Sequence, residues 1–350
     1  MAHTLLKKGA DINAAGGEYG SALQAAAVQG HTEIVSQLLG KGANVNVAKG
    51  LYGSSLQNAI FRGHIEIVKM LLEKGADVNA AGGEYGSSLQ HAISRGHIEI
   101  VRMLLEKGVD VNATGGEYGS SLQNAIFGGH TEIAKMLLEK GADVNATGGE
   151  YGSSLQHAIS RGHTEIVRML LEKGAGVNAA GREYGGSLQH AIFRGHTEIA
   201  TMLLEKGADV TAGREYGSSL QHAIFRGHTE IAKMLLEKGA DVNAAGGEYG
   251  SLLQAAIVKY HIEIVSMLLE KGADVNVAGG KYGSSLQAAV FKGHTRIVGM
   301  LLEKGADVNA AGGEYGTALK IAQKLGKNKI VIMLLKRVAK LEGETREADE

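Results

Sequence analysis

Residues 85–117 read YGSSLQHAISRGHIEIVRMLLEKGVDVNATGGE, and this wording returns with few changes from one end of the 350-residue chain to the other. Its tyrosine marks the register: Tyr19, Tyr52, Tyr85, Tyr118, Tyr151 and Tyr184, then Tyr216, Tyr249, Tyr282 and Tyr315. Successive tyrosines stand 33 residues apart, as from Tyr19 to Tyr52, with one step of 32 between Tyr184 and Tyr216. A period of this size is the signature of small stacked units, none of which can bury its apolar face alone. Length therefore counts units, and one elongated domain is expected rather than two or three globular ones.

Within the unit, Ser87-Ser88-Leu89-Gln90 has the S-x-x-Q form of a capping box, so a helix is expected to begin there. Gly96 falls about two turns later, where a helix-ending residue with positive φ belongs. His97 opens a second helix whose Ile100, Val101, Leu104 and Leu105 form an apolar stripe, with Glu99, Arg102 and Glu106 on the other side. Glu106-Lys107-Gly108 stops it. The run from Val109 to Glu117, short and extended with paired glycines, suits a protruding turn. One unit is thus a turn, a short helix and a longer helix.

In this form the chain resembles the ankyrin repeat family. The matching elements are Ser87-Ser88-Leu89-Gln90 at the family's T-P-L-H, Ala92 at its helix alanine, Gly96-His97 between the helices, and Leu104-Leu105 before a G-A-D-V-N run that is intact in Gly75-Ala76-Asp77-Val78-Asn79. The resemblance covers essentially the whole chain. It departs in the absence of proline, so that Ser88 takes the first helical position, in Gln90 for the family's histidine, and in a tyrosine-glycine pair at the turn. The wording of Gly16 to Gly20 and Ala22 to Ala25 further resembles long ankyrin arrays of filamentous fungi, often attached to NLR-type receptors. The resemblance implies an all-α ankyrin-repeat solenoid of about ten helix-turn-helix units with protruding turns.

Taken in order, residues 1–18 match only the second half of a unit, which suggests a cut from a longer array; 19–314 hold nine ankyrin-type repeats, 315–340 a C-terminal capping repeat, and 341–350 a charged tail expected to fray. In the cap, Lys320, Gln323, Lys324, Lys327, Asn328 and Lys329 replace small or apolar residues and would turn a polar face to water. Gly176 and Gly186 stand in the aspartate and cap-serine slots, and Thr211 in the asparagine slot, beside one lost loop residue and Arg182 and Arg214 in the turns. Drift in one duplicated pair accounts for these; a kink or partner contact is the alternative. Tyr260 occupies an inter-helix glycine slot, where a left-handed tyrosine would cost about 1–2 kcal/mol, so the turn is expected to adjust.

Lysine plus arginine (36) nearly cancels aspartate plus glutamate (37), which supplies no overall field for nucleic acid or an anionic membrane. There is no cysteine, no apolar stretch of signal-peptide or membrane-spanning length, and the two N-A-T matches at Asn112 and Asn145 read as repeat chemistry. A monomeric, soluble, cytoplasmic protein is expected. The glycines form no phosphate cradle, since Gly280-Lys281 is followed by Tyr282. Histidines 31, 64, 97, 130, 163, 196, 228, 261 and 294 share one slot, and stacking at about 9–10 Å separates them too far to share a metal ion. The repeated serines are caps, and no constellation is unique to one unit. No catalytic residue, cofactor site or metal site is assigned.

In the family the partner meets the turn tips and first helices along the concave side. Carried over by position, those slots hold the residue before each tyrosine, here Glu84, Glu117 and Glu150, and the two residues before each inter-helix glycine. The latter contain all five phenylalanines, Phe61, Phe127, Phe193, Phe225 and Phe291, and the cations Arg62, Arg95, Arg161, Arg194, Arg226, Lys259 and Lys292. Aromatic and arginine side chains dominate binding hot spots, so a protein partner is the expected ligand. The competing reading packs each phenylalanine between first helices, with the arginines paired to those turn glutamates. A neighbouring slot alternates His91, His157, His190 and His222 with Asn58 and Asn124, as an ordered polar row or a pH-sensitive part of the groove. The tyrosines are expected to stack turn on turn with hydroxyls in water. The function implied is a non-catalytic protein-interaction module, the sensor array of a larger receptor; a passive spacer and an engineered scaffold are the alternatives.

Overall fold

The two-helix unit is realised throughout in the computed structural model, which describes residues 11–16, 18–47, 53–80, 87–114, 119–148, 152–179, 186–210, 213–214, 217–313 and 316–349, with side chains at 213, 214, 217 and 342–349 set aside. The chain divides into two compact parts, Met1–Glu183 and Tyr184–Glu350. In the first, helix pairs run Ala22–Gln29 with Thr32–Gly40, Ser55–Arg62 with Ile65–Glu73, Ser88–Ser94 with Ile98–Glu106, Ser121–Phe127 with Thr131–Glu139, and Ser154–Arg161 with Thr164–Glu172. In the second they run Ser187–Arg194 with Thr197–Glu205, Ser219–Arg226 with Thr229–Glu237, Leu252–Val258 with Ile262–Glu270, Ser285–Lys292 with Thr295–Glu303, and Ala318–Lys324 with Asn328–Asp349. Within each part, first helix packs on first helix and second on second.

Local chemistry sets the boundaries. Ser87 Oγ accepts from the Gln90 N–H at 3.3 Å while Gln90 Oε1 accepts from the Ser87 N–H at 3.2 Å, and the same reciprocal box forms at Ser54, Ser120, Ser153 and Ser251. At Gly186 only half of it survives: the backbone N–H still donates to Gln189 Oε1 at 3.0 Å, and there is no hydroxyl to return the bond. The glycine stops adopt positive φ, 68° at Gly96 and 77° at Gly108. The turns close as short antiparallel pairs, Thr147–Gly148 with Gly152–Ser153 and Gly213–Arg214 with Gly217–Ser218.

The apolar stripe of the second helices is buried in the inner units, as in Ile100, Val101, Leu104 and Leu105, and the first helix packed on it buries Leu89, Ala92 and Ile93. Side chains also link the units. Gln90 Nε2 donates to Ala113 O (3.4 Å) and Gly119 O (3.3 Å) of the next turn, so one glutamine caps its own helix and ties down its neighbour. Asn112 Oδ1 accepts from the Asp143 N–H at 2.9 Å and its Nδ2 donates to Gly141 O at 3.4 Å, a rung repeated from Asn46 to Asp77 and from Asn276 to Asp307. Each aspartate also accepts from the N–H two residues on, as Asp110 Oδ1 does from Asn112 at 2.9 Å.

One expectation is corrected. The turn at Tyr260 does not adjust: the tyrosine takes the left-handed conformation, φ 62°, and lays its ring 4.4 Å from that of His294. The second helix of the last unit continues through Gly343 to Asp349. The last unit exposes Lys320, Gln323, Lys324, Asn328 and Lys329 as a terminal unit should, with Lys327 half-buried over Gly293. Among the described residues no helix is long and apolar enough to cross a membrane.

Candidate functional site

The inter-helix histidines are structural in their geometry. His64 Nε2 lies 3.2 Å from the Val28 carbonyl of the preceding unit, and its ring fills the space where a side chain on Gly30 would stand. In the polar row, His91 and His157 are buried and donate from Nδ1 to the carbonyls of Ser87 (3.0 Å) and Ser153 (3.2 Å), one turn back on their own helices. His222 does the same to Ser218 at 3.2 Å. Burial pushes the imidazoles of His91, His190 and His222 down, with His190 at about 4 and Arg194 as its second cause.

The phenylalanine slots bring out an arrangement that the sequence reading did not contain. The guanidinium of Arg95 lies 4.3 Å from the Phe61 ring centroid, Arg161 lies 4.1 Å from Phe127, Arg226 lies 4.5 Å from Phe193, and Lys259 Nζ lies 4.0 Å from Phe225. In each case the cation of one unit covers the ring of the unit before it, within reach of a cation–π attraction. Arg62 is farther from its own neighbour Phe61, at 5.7 Å. His91 and His222 meet Phe61 and Phe193 edge-on at 6.4 and 6.3 Å. Phe225 faces Tyr249 at 6.3 Å, and Phe291 faces Tyr282 at 5.2 Å, with Lys292 Nζ 5.9 Å from the Tyr282 ring. Arg95, Arg161 and Arg226 thus stack on aromatic rings. Glu84, Glu117 and Glu150 lie outside the described residues, as do most of the tyrosines. Of those described, Tyr282 is buried against Phe291.

Four of the phenylalanines are half-buried and Phe225 is 43% exposed. Phe193, Phe225, Gln221, His222 and Arg226 line a hollow of about 240 Å³ on the first-helix face of Tyr184–Glu350. A larger hollow of about 390 Å³ opens between the second helices Ile65–Glu73 and Ile98–Glu106, but Glu66, Glu73, Glu99, Glu106, Lys69 and Lys107 rim it, and ordering such long side chains is costly. The first-helix hollow, by contrast, has aromatic walls in Phe193 and Phe225. Gln221 and Tyr249 carry no sequence signal for partner binding, and His222 enters there only as part of the polar row; the ring-and-cation pairs do have a signal in the spacing, since the cation lies 34 residues after its ring (Phe61 to Arg95) or 33 across the short step (Phe193 to Arg226).

The comparisons with known proteins agree with this geometry. A model of ankyrin repeats in three copies matches residues 1–82, 83–148, 148–214, 189–246 and 212–279, and a single ankyrin repeat model matches 284–312. The chain belongs to the ankyrin repeat family. Among solved structures, it is similar to the crystal structure of an ankyrin repeat domain from Acinetobacter baumannii AYE, at 31% identity and a TM-score of 0.51, over 53% of this chain and 98% of that one. No curated protein matches it. Ankyrin repeats in general mediate protein–protein interaction and are non-enzymatic scaffolds.

Proposed function

We propose that this ankyrin array binds a protein partner on its first-helix face, without chemistry, with Phe193, Arg194, Phe225 and Arg226 at the centre of the contact. The observation that carries the reading is Phe225: a phenylalanine left 43% exposed beside a hollow of about 240 Å³, next to arginine, in a slot to which the sequence confines its phenylalanines. Exposed aromatic and arginine anchors around a pocket are the usual make-up of a hot spot. Phe291 and Lys292 occupy the same slots farther along Tyr184–Glu350, and Met1–Glu183 carries its own set, Phe61, Arg62, Arg95, Phe127 and Arg161, with Glu84, Glu117 and Glu150 assigned to it by position in the turns. On the fungal wording of its repeats, the chain would serve as the sensor array of a larger cytosolic receptor, acting as a monomer.

A spacer reading draws on one observation, the cations that bridge consecutive units through the rings, since these add stacking energy without a partner. Joint replacement of Phe193, Arg194, Phe225 and Arg226 by alanine separates the two. Capture of a specific protein from a lysate is expected to be abolished while circular dichroism stays unchanged. Undiminished capture would move the site elsewhere, and a parent protein that captures nothing specific would favour the spacer.

A further inference from the structure

In Tyr184–Glu350 the slot before the inter-helix glycine holds a cation in consecutive units, and three of these, Arg226, Lys259 and Lys292, are spaced by the same 33 residues and are exposed. Among the described residues no carboxylate lies within ion-pair reach of any of the three, whereas the ion pairs of Arg102, with Glu99 at 3.7 Å and Glu132 at 3.2 Å, lie on second helices. Each of the three has an aromatic ring beneath it, Arg226 over Phe193, Lys259 over Phe225 and Lys292 toward Tyr282. A guanidinium stacked on a ring keeps its in-plane N–H edge outward, the geometry in which it receives a carboxylate. Beside the row, Glu248 is engaged by a hydrogen bond with Tyr249 and makes no ion pair with the three cations. His228, His261 and His294 are held below the ordinary imidazole range by burial first, and Arg226, Lys259 and Lys292 push each of them further the same way.

The row also has a pitch. First helices stacked on one another stand about 8–10 Å apart, so equivalent cations recur at that interval. A polyproline II segment has three residues per turn and rises about 3.1 Å per residue, and so returns to the same face every ~9 Å. A β-strand advances a similar distance in three residues but turns alternate side chains away, which puts every second carboxylate on the wrong side. The rings that flank the row, Phe225 with Tyr249 and Phe291 with Tyr282, supply the aromatic lining on which polyproline II ligands dock.

We infer that the first-helix face of Tyr184–Glu350 takes an acidic, extended protein segment in polyproline II conformation, with a carboxylate at every third residue meeting Arg226, Lys259 and Lys292 in turn. This deepens the partner-binding reading and rests on it. The probes are synthetic peptides that each carry three glutamates, one of three Pro-Pro-Glu repeats, one of the same composition with the glutamates clustered, and one longer helical peptide with glutamate at every seventh position, beside a single-stranded oligonucleotide. Binding by fluorescence anisotropy is expected to favour the period-three peptide over the clustered one by about tenfold, the order that three exposed ion pairs supply together, and to weaken as salt rises. The triple variant R226Q/K259Q/K292Q is expected to lose that preference. Because its folding could also change, a charge swap keeps the test decisive: K259E is expected to bind the period-three peptide weakly and to recover when the central glutamate of the peptide is replaced by lysine. Equal affinity for the clustered or the helical peptide, tighter binding of the oligonucleotide, or no rescue in the swap would overturn the inference. Loss of lysate capture by the quadruple alanine variant alongside no binding of any acidic peptide would sink this inference and leave the partner-binding reading standing.

Discussion

A Cβ added to Gly63 would stand 2.8 Å from His97 Cε1, whereas one added to Gly75 would meet nothing within 4 Å, although both glycines hold positive φ, 74° and 80°. The two positions therefore separate the backbone reason for glycine from the packing reason. An alanine at either is strained by about 1–2 kcal/mol for its left-handed conformation. At Gly63 it must also displace the imidazole of the next unit, and an overpacked contact adds about 1 kcal/mol or more. Gly63→Ala is expected to lower the urea-unfolding free energy by more than Gly75→Ala does, and equal losses would mean that the histidine has no packing role. Tyr260 shows how the array tolerates a side chain in this slot: its ring lies along that of His294 at an interplanar angle of 36°, and aromatic stacking of about 0.5–1.5 kcal/mol offsets much of the strain.

What holds one unit to the next is a set of bonds made by side chains in the turns, and Asn112 is their simplest case. Its amide accepts from the Asp143 N–H and donates to Gly141 O, so truncation removes both links to the following unit at once. At a few tenths to about one kcal/mol for each partly solvated bond, Asn112→Ala is expected to cost about 1–2 kcal/mol. Asn112→Asp keeps the acceptor and loses the donor, and should cost less; chemical denaturation of both variants checks the order, which would fail if the two matched. These rungs also mark the boundary of what could be read from the sequence. Helix starts, glycine stops and the Ile100-to-Leu105 stripe depend on residues within one or two turns of each other, and the sequence places them correctly. The second job of Gln90, the asparagine rungs and the cations over Phe61, Phe127, Phe193 and Phe225 join residues 23 to 34 apart, as in Gln90 to Ala113 and Phe61 to Arg95. No local pattern contains them. They become visible only when each slot is compared with the slot one period later, and for the site that comparison links every covered phenylalanine to its cation.

At the scale of the whole molecule, repetition turns a small local effect into a property of the array. His91, His97, His130, His163, His190, His196, His222, His228, His261 and His294 are all pushed below the ordinary imidazole value, in every case chiefly by burial, and in most by a neighbouring cation as well. A histidine whose folded value is depressed stays neutral in the array and charges in the unfolded chain, so the unfolded state binds more protons between the two values. The stability these groups contribute is complete above about pH 6.5 and is lost as pH falls toward the folded values, which for His190 is about 4. Carboxylates titrate mainly below about pH 4.5, which leaves the interval from 6.5 to 5 to the imidazoles. Unfolding at pH 5.5 is therefore expected to take up several protons, read as the slope of unfolding free energy against pH, with the urea midpoint falling steadily from pH 7 to pH 5. His190→Gln, which keeps a polar side chain and cannot charge, should reduce that slope by up to one proton. A midpoint that stays level across this interval would mean that the histidines take on charge without disturbing the stack.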